Sequence, residues 1–324
     1  MIPALIPILS IFFHDEALQL SSLEVKIPFV VVALVVGFVK LNDDILSKFK
    51  LGFVFGTLVG GSLLLIKGSI FVQFLSNNVF LELTYTSLYI VIALIYLWFT
   101  DIELNKVIKS LLSLAFILLL IGIGDAFFIA AGSLTVLAAS IIKGNSLQSK
   151  LTIGFLVLLF SVFIYKGSEI QQQLQESKDD KELIGVDKLA QWQCVLEIMR
   201  NKELFGVGFN SKESLLTTCY HEHAMFKAET NELNSHNEYL DAFLTLGYIG
   251  VLGMLIYFFK ILFVAYDTKQ VAQLLVIVLI ALFSISENMF TRQKGVMITA
   301  ITCLLIFSSK KAKLDDDKEF SQTN

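Results

Sequence analysis

Apolar runs joined by short polar connections occupy most of this chain. Cut at charges and turn residues, the runs fall at 2–13, 27–39, 51–66, 84–99, 107–124, 126–142, 151–165, 249–265, 270–286 and 295–309. About 20 apolar residues cross a bilayer as a helix, and several of these runs are shorter, so they need flanking polar residues or are broken helices packed inside protein. The pattern predicts an all-α fold, a polytopic membrane helix bundle with about 10 spans.

A polar stretch at residues 166–236 interrupts the series of apolar runs. We therefore expect four regions. These are an N-terminal transmembrane bundle at 1–165, a partly helical loop at 166–236, C-terminal transmembrane helices at 237–309 and a charged, disordered tail at 310–324.

The lysines predict the orientation, because positive charges near the ends of spans stay in the cytoplasm. Alternate connections and the tail carry eleven cations: Lys40, Lys48, Lys50, Lys106, Lys109, Lys143, Lys150, Lys269, Lys310, Lys311 and Lys313. The opposite short connections carry four: Lys26, Lys67, Arg292 and Lys294. This asymmetry predicts that both termini are cytoplasmic and that the large loop is external.

Composition supports an integral membrane protein, since 55% of the residues are hydrophobic and the mean hydropathy is +0.72. The net charge of −4 gives no reason to expect a nucleic-acid partner. Of the three cysteines, Cys194 and Cys219 share the external loop, where they form a disulfide or remain two buried thiols, and Cys303 falls in a span.

The external loop contains its own structural pattern. Five apolar positions recur at helical spacing: Leu189, Trp192, Val195, Leu196 and Met199. They predict an amphipathic helix that lies on the membrane or on the bundle. The following segment Leu204–Phe209 contains two glycines, which permit a sharp turn.

The end of the loop is the candidate for chemistry. Ser235 and Glu238 are spaced as in a capping box, which predicts a helix whose first residue is His236. A helix N-terminus opposes a positive charge on the imidazole, which suits a general base. The alternative is an ordinary polar residue at a helix start. Gly247 and Gly250 are expected to bend this helix into the next span.

These segments together resemble a known family. A helix containing Trp192, the sequence Leu-Phe-Gly-Val-Gly-Phe at 204–209, His-Asn-Glu-Tyr-Leu at 236–240 and Leu-Gly-Tyr-Ile-Gly at 246–250 follow one another before a span. This order, over roughly residues 185–265, resembles the O-antigen ligase and O-antigen polymerase family of bacterial envelope glycosyltransferases.

The resemblance implies a protein of the bacterial inner membrane whose external loop is periplasmic, and it implies a specific reaction. A glycan would pass from an undecaprenyl diphosphate carrier to a hydroxyl of lipid A core or of another carrier-linked glycan, with inversion and without a metal or other cofactor. His236 matches the family's loop histidine, which activates the acceptor hydroxyl. Lys188 stands where members often have arginine, and Gly124-Asp125 stands near a position where many have Ser-Arg. The carboxylate of Asp125 cannot bind a diphosphate.

Cations near the outer boundary are expected to neutralise the diphosphate: Arg200, Lys188, Arg292 and Lys294. Asn237 and Glu238 adjoin His236 and are expected to contact substrate. Anchoring to membrane phospholipid is the alternative for Arg292 and Lys294.

Two other classes stay open. A transporter or flippase of a lipid-linked glycan should show ionisable residues buried in mid-span and internal repeats, and we find neither in the sequence. A zinc-dependent external hydrolase could use four residues: His221, Glu222, His223 and His236.

Overall fold

The computed structural model describes residues 10, 24–25, 27–38, 42–65, 83–123, 128, 130–135, 184–200, 202 and 204–322. Its helices are α1 (Ile27–Phe38), α2 (Asp43–Leu65), α3 (Leu83–Phe99), α4 (Lys106–Ile123), α5 (Ile184–Met199), α6 (Ser211–Glu222), α7 (Phe226–Thr230), α8 (Glu238–Asp267), α9 (Val271–Phe283) and α10 (Gln293–Gln322). No strand occurs among the described residues. The predicted all-α class is therefore confirmed.

Two of these helices, α4 and α8, are long and apolar enough to cross a membrane. Shorter apolar helices are α3, α9 and the first part of α10, Gln293–Ser308. The predicted runs at 2–13, 126–142 and 151–165 lie wholly or largely outside the described residues. The count of ten spans therefore stays a prediction.

The chain divides into two compact units. One unit is Leu41–Glu176, in which α2, α3 and α4 pack on one another. Its helices are held by apolar contacts such as the edge-to-face pair of Phe53 and Tyr96, and by a 2.8 Å hydrogen bond from Trp98 Nε1 to Ser113 Oγ. The other unit joins Met1–Lys40 to Ser177–Asn324 and contains the predicted site. Below we describe this second unit by itself.

Helix α8 is sharply broken near its start, as its two glycines predict. Leu246 and Gly247 leave helical geometry, and Gly247 has a φ of +62°. The two parts then fold back on each other, because Gly250 lies directly against the carbonyl of Ala242 and the rings of Tyr239 and Phe258 are 6.1 Å apart. A Cβ at position 250 would collide with that carbonyl, so close packing here requires glycine.

The break changes which part of α8 can serve as a span. Residues 248–267 form a continuous helix about 30 Å long, which matches the hydrocarbon core of a bilayer. Its exposed side carries Lys260 but is otherwise mostly apolar, with residues such as Leu252, Phe259 and Phe263. Residues 238–245, in contrast, are largely buried in protein. Only the second part of α8 therefore has the length and the surface of a membrane helix.

Helices α9 and α10 complete this unit. Helix α9 runs back from the end of α8, and the connection 284–292 then leads into α10. Helix α1 packs along α10, and the rings of Phe29 and Phe290 are 5.9 Å apart. Helix α10 continues to Gln322, where the sequence predicts a disordered tail. Ala, Lys, Leu and Glu favour helix, and they are common in this tail, so local propensity extends the helix.

Candidate functional site

Helices α5, α6 and α7 form a small apolar core beside the first part of α8. Its buried members are Cys194, Val195, Met199, Val207, Leu216, Cys219, Tyr220, Ala228, Phe243 and Leu244. A disulfide between Cys194 and Cys219 joins α5 to α6, which decides between the two states that the sequence left open. This core fixes α5 against the segment that precedes and begins α8.

The apolar positions that predicted α5 divide between two sides of the helix. Val195 and Met199 are buried against the core and Trp192 is half-buried, whereas Leu189 and Leu196 are exposed and the polar Gln191 is buried. Leu189 and Leu196 are seven positions apart and therefore lie on one side of the helix. The opposite side packs on the core, so α5 has an apolar strip on both sides, and periodicity alone could not separate them.

The glycine turn after α5 packs on the break in α8. Gly206 has a φ of +78°, and a Cβ on it would lie 2.5 Å from the carbonyl oxygen of Leu244 and 2.7 Å from the amide nitrogen of Gly247. The amide of Val207 donates a 2.7 Å hydrogen bond to the same Leu244 oxygen. Because a broken helix leaves carbonyls unpaired, this bond satisfies one of them and locks the turn in place.

The predicted capping box at the start of α8 is wrong. The cap is Asn237, whose Oδ1 accepts hydrogen bonds from the amides of Tyr239 and Leu240. Glu238 is buried and accepts a 2.8 Å hydrogen bond from the amide of Phe290. Ser235 bonds instead to the carbonyl of Asn237. The helix therefore begins at Glu238, and His236 precedes the cap.

His236 has an unusual backbone conformation. Its φ is +45°, in the left-handed region that residues other than glycine seldom adopt. Its amide donates a 3.0 Å hydrogen bond to Oδ1 of Asn234, and Trp192 Nε1 donates a 3.0 Å bond to the carbonyl of Ser235. Such conformations cost about 1–3 kcal/mol and persist where neighbours hold them, often at functional sites.

The side chain of His236 meets a carboxylate that sequence analysis did not single out. Its Nδ1 lies 3.2 Å from Oε2 of Glu287, with side chains 20% and 17% exposed. An ionised carboxylate can only accept hydrogen bonds, so Nδ1 carries the hydrogen, and a neutral ring in this tautomer has its lone pair on Nε2. Sequence analysis could have found Glu287 from one signal. It is a carboxylate in the short polar connection 284–292, which is predicted to lie on the same side of the membrane as His236.

Lys188 binds the other oxygen of Glu287. Its Nζ lies 3.3 Å from Oε1 of Glu287 and donates a 2.9 Å hydrogen bond to the carbonyl of Ser286. Burial raises the pKa of the Glu287 carboxyl, but the hydrogen bond from His236 and the charge of Lys188 oppose this, and the pKa lies below its ordinary value. Glu287 is therefore ionised at neutral pH.

The structure does not bring all the predicted cations together. Arg200 is exposed and lies twelve positions after Lys188, about 18 Å farther along the direction of α5. Arg292 is exposed at the end of the connection that carries Glu287, and Lys294 is half-buried in the first turn of α10. Lys188 is in direct contact with the carboxylate of the histidine–carboxylate pair.

The remaining predicted positions lie elsewhere. Asn237 and Glu238 use side-chain oxygens for the backbone bonds described above, so we assign both a structural role. Gly124-Asp125 lies outside the described residues. His221 and His223 are exposed and contact Glu229 and Glu197, respectively. With His236, the three histidines meet three different carboxylates, which does not favour a shared zinc site of the predicted hydrolase.

The arrangement around His236 is suited to proton abstraction. A neutral imidazole with its Nδ1 hydrogen held by a carboxylate presents Nε2 as a base, and the carboxylate stabilises the imidazolium that forms. The fold and site thus combine helices that are long and apolar enough to cross a membrane with a histidine–carboxylate pair that can accept a proton.

Comparison with known families identifies the class more closely. The sequence model of the O-antigen ligase family matches residues 71–255, which is more than half of the 324 residues. The chain therefore belongs to the O-antigen ligase family. No curated protein matches the chain in sequence. The match confirms the predicted resemblance; it includes Lys188 and His236 and ends before Glu287.

Membership establishes the general chemistry. The family's reaction is glycan transfer of the O-antigen ligase type, its substrates are lipid-linked glycans, and its members are membrane proteins.

Proposed function

We propose that this protein transfers an oligo- or polysaccharide from an undecaprenyl diphosphate carrier to a hydroxyl of lipid A core or of another carrier-linked glycan. The reaction inverts the anomeric centre and needs no metal, and His236 is the general base. The observation that carries this proposal is the contact of His236 Nδ1 with Glu287, in a strained turn held by Asn234 and Trp192.

The proposed chemistry follows from the free Nε2 of His236. As the acceptor hydroxyl approaches the anomeric carbon, its proton passes to Nε2 and its oxygen forms the new glycosidic bond. The bond from the anomeric carbon to the diphosphate breaks on the opposite face, and the electron pair leaves with the diphosphate. Glu287 stabilises the resulting imidazolium. Diphosphate is a good leaving group, so alignment and charge neutralisation are the main remaining requirements.

Charge neutralisation is assigned to cations of the 284–294 region. Arg292 is exposed five positions after Glu287, and Lys294 follows it in α10. Lys188 uses two of its three N–H groups for Ser286 and Glu287, so its main role is to hold Glu287 in place. Arg200, at the far end of α5, is not included in this diphosphate site.

We also propose that the protein is a multi-pass protein of the bacterial inner membrane with cytoplasmic termini. The supporting observation is the direction of α9. Glu287, which contacts His236, follows the end of α9, whereas Lys269, in the connection between α8 and α9, precedes its start. Lysines of cytoplasmic connections would thus lie opposite the site.

A reporter that is active only outside the cytoplasm tests this orientation. Fused near Ser211, it should be active, and fused after Lys313 it should be silent. The reverse result would place His236 on the cytoplasmic side and contradict the proposed reaction.

The function itself is tested by deleting the gene and separating surface polysaccharide on gels. Loss of long chains from both the lipid anchor and the carrier indicates a polymerase. Long chains that accumulate on the undecaprenyl carrier indicate a ligase. Normal chains on the normal anchor would contradict the proposal. Transfer by the purified protein, with carrier-linked donor and acceptor supplied on the same side, separates an enzyme from a flippase.

A further inference from the structure

Helices α5 and α6 bring a second group of reactive side chains together. The Sγ atoms of Cys194 and Cys219 and a ring nitrogen of His223 all lie within 4.8 Å of one another. Cys219 and His223 are four positions apart at the end of α6 and therefore share one side of the helix. Two sulfurs and an imidazole nitrogen are ligands that zinc prefers.

In the structure the two sulfurs are joined in a disulfide and cannot bind a metal. We propose that reduction of this disulfide opens a zinc site whose ligands are Cys194, Cys219 and His223. The site is separate from the proposed glycan transfer and does not depend on it. Its fourth coordination position is taken by water, since the side chain of His223 is half exposed.

The redox step needs a dithiol reductant as the partner. A thiolate of the reductant attacks one sulfur and the disulfide bond breaks. Two electrons pass to the cysteine sulfurs, and the reductant ends as a disulfide. Each cysteine thiol then loses a proton to solvent as Zn²⁺ binds, and the neutral imidazole contributes a lone pair.

The distances allow this change with little movement of the helices. A Zn–S bond of about 2.3 Å in tetrahedral geometry places two sulfurs about 3.8 Å apart. The Cα atoms of Cys194 and Cys219 are 5.9 Å apart, so side-chain rotation can open the sulfurs to that separation. Both the disulfide and the metal would link α5 to α6, so the same two helices stay joined in either redox state.

Glu197 is the residue that orients His223 in this site. Its Oε2 lies 2.9 Å from Nε2 of His223. A metal-bound histidine commonly donates its second ring N–H to a carboxylate, which fixes the ring and the tautomer. The contact with Glu197 therefore leaves Nδ1 of His223 for the metal. Cys194 and Glu197, three positions apart on α5, serve the same site.

The test uses the purified full-length chain carrying Cys303→Ala, so that the thiol of Cys303 does not contribute. The chain is treated with or without a phosphine reductant, freed of it and titrated with cobalt(II) and then zinc. We expect equimolar cobalt with a thiolate charge-transfer band only after reduction, and zinc should displace the cobalt. Equal uptake with and without reductant, or cobalt bound without a thiolate band, would overturn the proposal.

Variants separate this site from adventitious metal binding. His223→Ala should weaken zinc binding at least as much as Glu197→Gln, for which we expect about 10- to 100-fold. His221→Ala is the matched control, because His221 is exposed on the same helix and contacts Glu229 instead. Circular dichroism checks that the variants are folded. Zinc affinity of His223→Ala equal to that of the unsubstituted chain would also overturn the proposal.

Discussion

Two histidine–carboxylate pairs of almost equal length have very different surroundings. His236 Nδ1 is 3.2 Å from Glu287, and the side chains are 20% and 17% exposed. His221 Nδ1 is 3.0 Å from Glu229, and the side chains are 69% and 29% exposed. The first pair joins residues 51 positions apart, whereas the second joins residues 8 apart. Contact distance therefore does not distinguish the two pairs, whereas burial, the left-handed backbone of His236 and the separation along the chain do.

The physical reason is the solvent around each pair. An exposed ion pair is screened by water and is worth about 0–1 kcal/mol. A pair that is largely removed from water interacts more strongly, and its geometry is fixed by packing. The turn at His236 and the end of α6 at His221 can therefore be tested against each other with matched substitutions.

The largest difference is expected for the histidines themselves. His236→Ala should lower the rate of glycan transfer by ~10²- to 10⁴-fold, the usual contribution of a general base, and the protein should still fold. His221→Ala should leave the rate within about twofold, because an exposed surface pair contributes little. Transfer by purified protein measures both. A wild-type rate in His236→Ala would remove this residue from the chemistry.

The second-largest difference in transfer rate is expected for the carboxylates of the two pairs, Glu287 and Glu229. Glu287→Gln keeps the size of the side chain but removes the charge that balances Lys188 and the imidazolium. We expect the transfer rate to fall on the order of 10-fold, part of the general-base contribution. Glu229→Gln should have no comparable effect. If both substitutions reduce the rate equally, the distinction between the two pairs is wrong.

The Glu287→Gln substitution also tests how the stability of the protein depends on pH. Because the pKa of Glu287 is lowered in the folded protein, its charge stabilises the fold above the ordinary carboxyl pKa, and this stabilisation is lost as the pH falls through the lowered value. The difference in Tm between wild type and Glu287→Gln should thus be full at neutral pH and shrink in acid. A difference that grows in acid would contradict the lowered pKa.

A smaller effect is expected from the glycine turn that supports the His236 region. Gly206→Ala places a Cβ against the carbonyl of Leu244 at a positive φ, so we expect a loss of about 1–3 kcal/mol in the free energy of unfolding. Gly52→Ala in α2 is the control, since a Cβ there meets nothing within 4 Å. Denaturant unfolding in detergent compares them. If Gly206→Ala and Gly52→Ala have the same free energy of unfolding, the glycine turn does not hold the two parts of α8 in place.

The smallest difference concerns the two helix starts. Asn237→Ala removes a side chain that caps α8 with two hydrogen bonds, at a cost of about 0.5–2 kcal/mol. Asn210→Ala at the start of α6 should cost less, because Asn210 makes no side-chain cap bond. Unfolding midpoints of the two variants test this. A larger loss in Asn210→Ala would reverse the assignment of the cap.

Sequence patterns predicted the helices near the site better than their exact contacts. The periodicity around Trp192 predicted α5, and Gly247 and Gly250 predicted the break in α8. The start of α8 was misplaced because both Ser235 and Asn237 are favourable caps. The tertiary bond of Glu238 to Phe290 and the local bond of Ser235 to the Asn237 carbonyl decide between them.

His236 was predicted from its position, but its partner was not. Glu287 lies 51 positions away, in a connection whose polar residues resemble those of any short loop between spans. The left-handed backbone of His236 is also a tertiary result, since it depends on Asn234 and on the bond of Trp192 to Ser235. Local propensity contains no information about such contacts.

The separation of Lys188 from Glu287 has a consequence for how the protein is made. These residues are 99 positions apart, and both spans α8 and α9 are synthesised between them. The α5–α6 disulfide joins residues only 25 positions apart, whereas the carboxylate of Glu287 is synthesised after both α8 and α9. A chain that stops before α9 would therefore contain both cysteines and His236 but not Glu287, the carboxylate that His236 contacts.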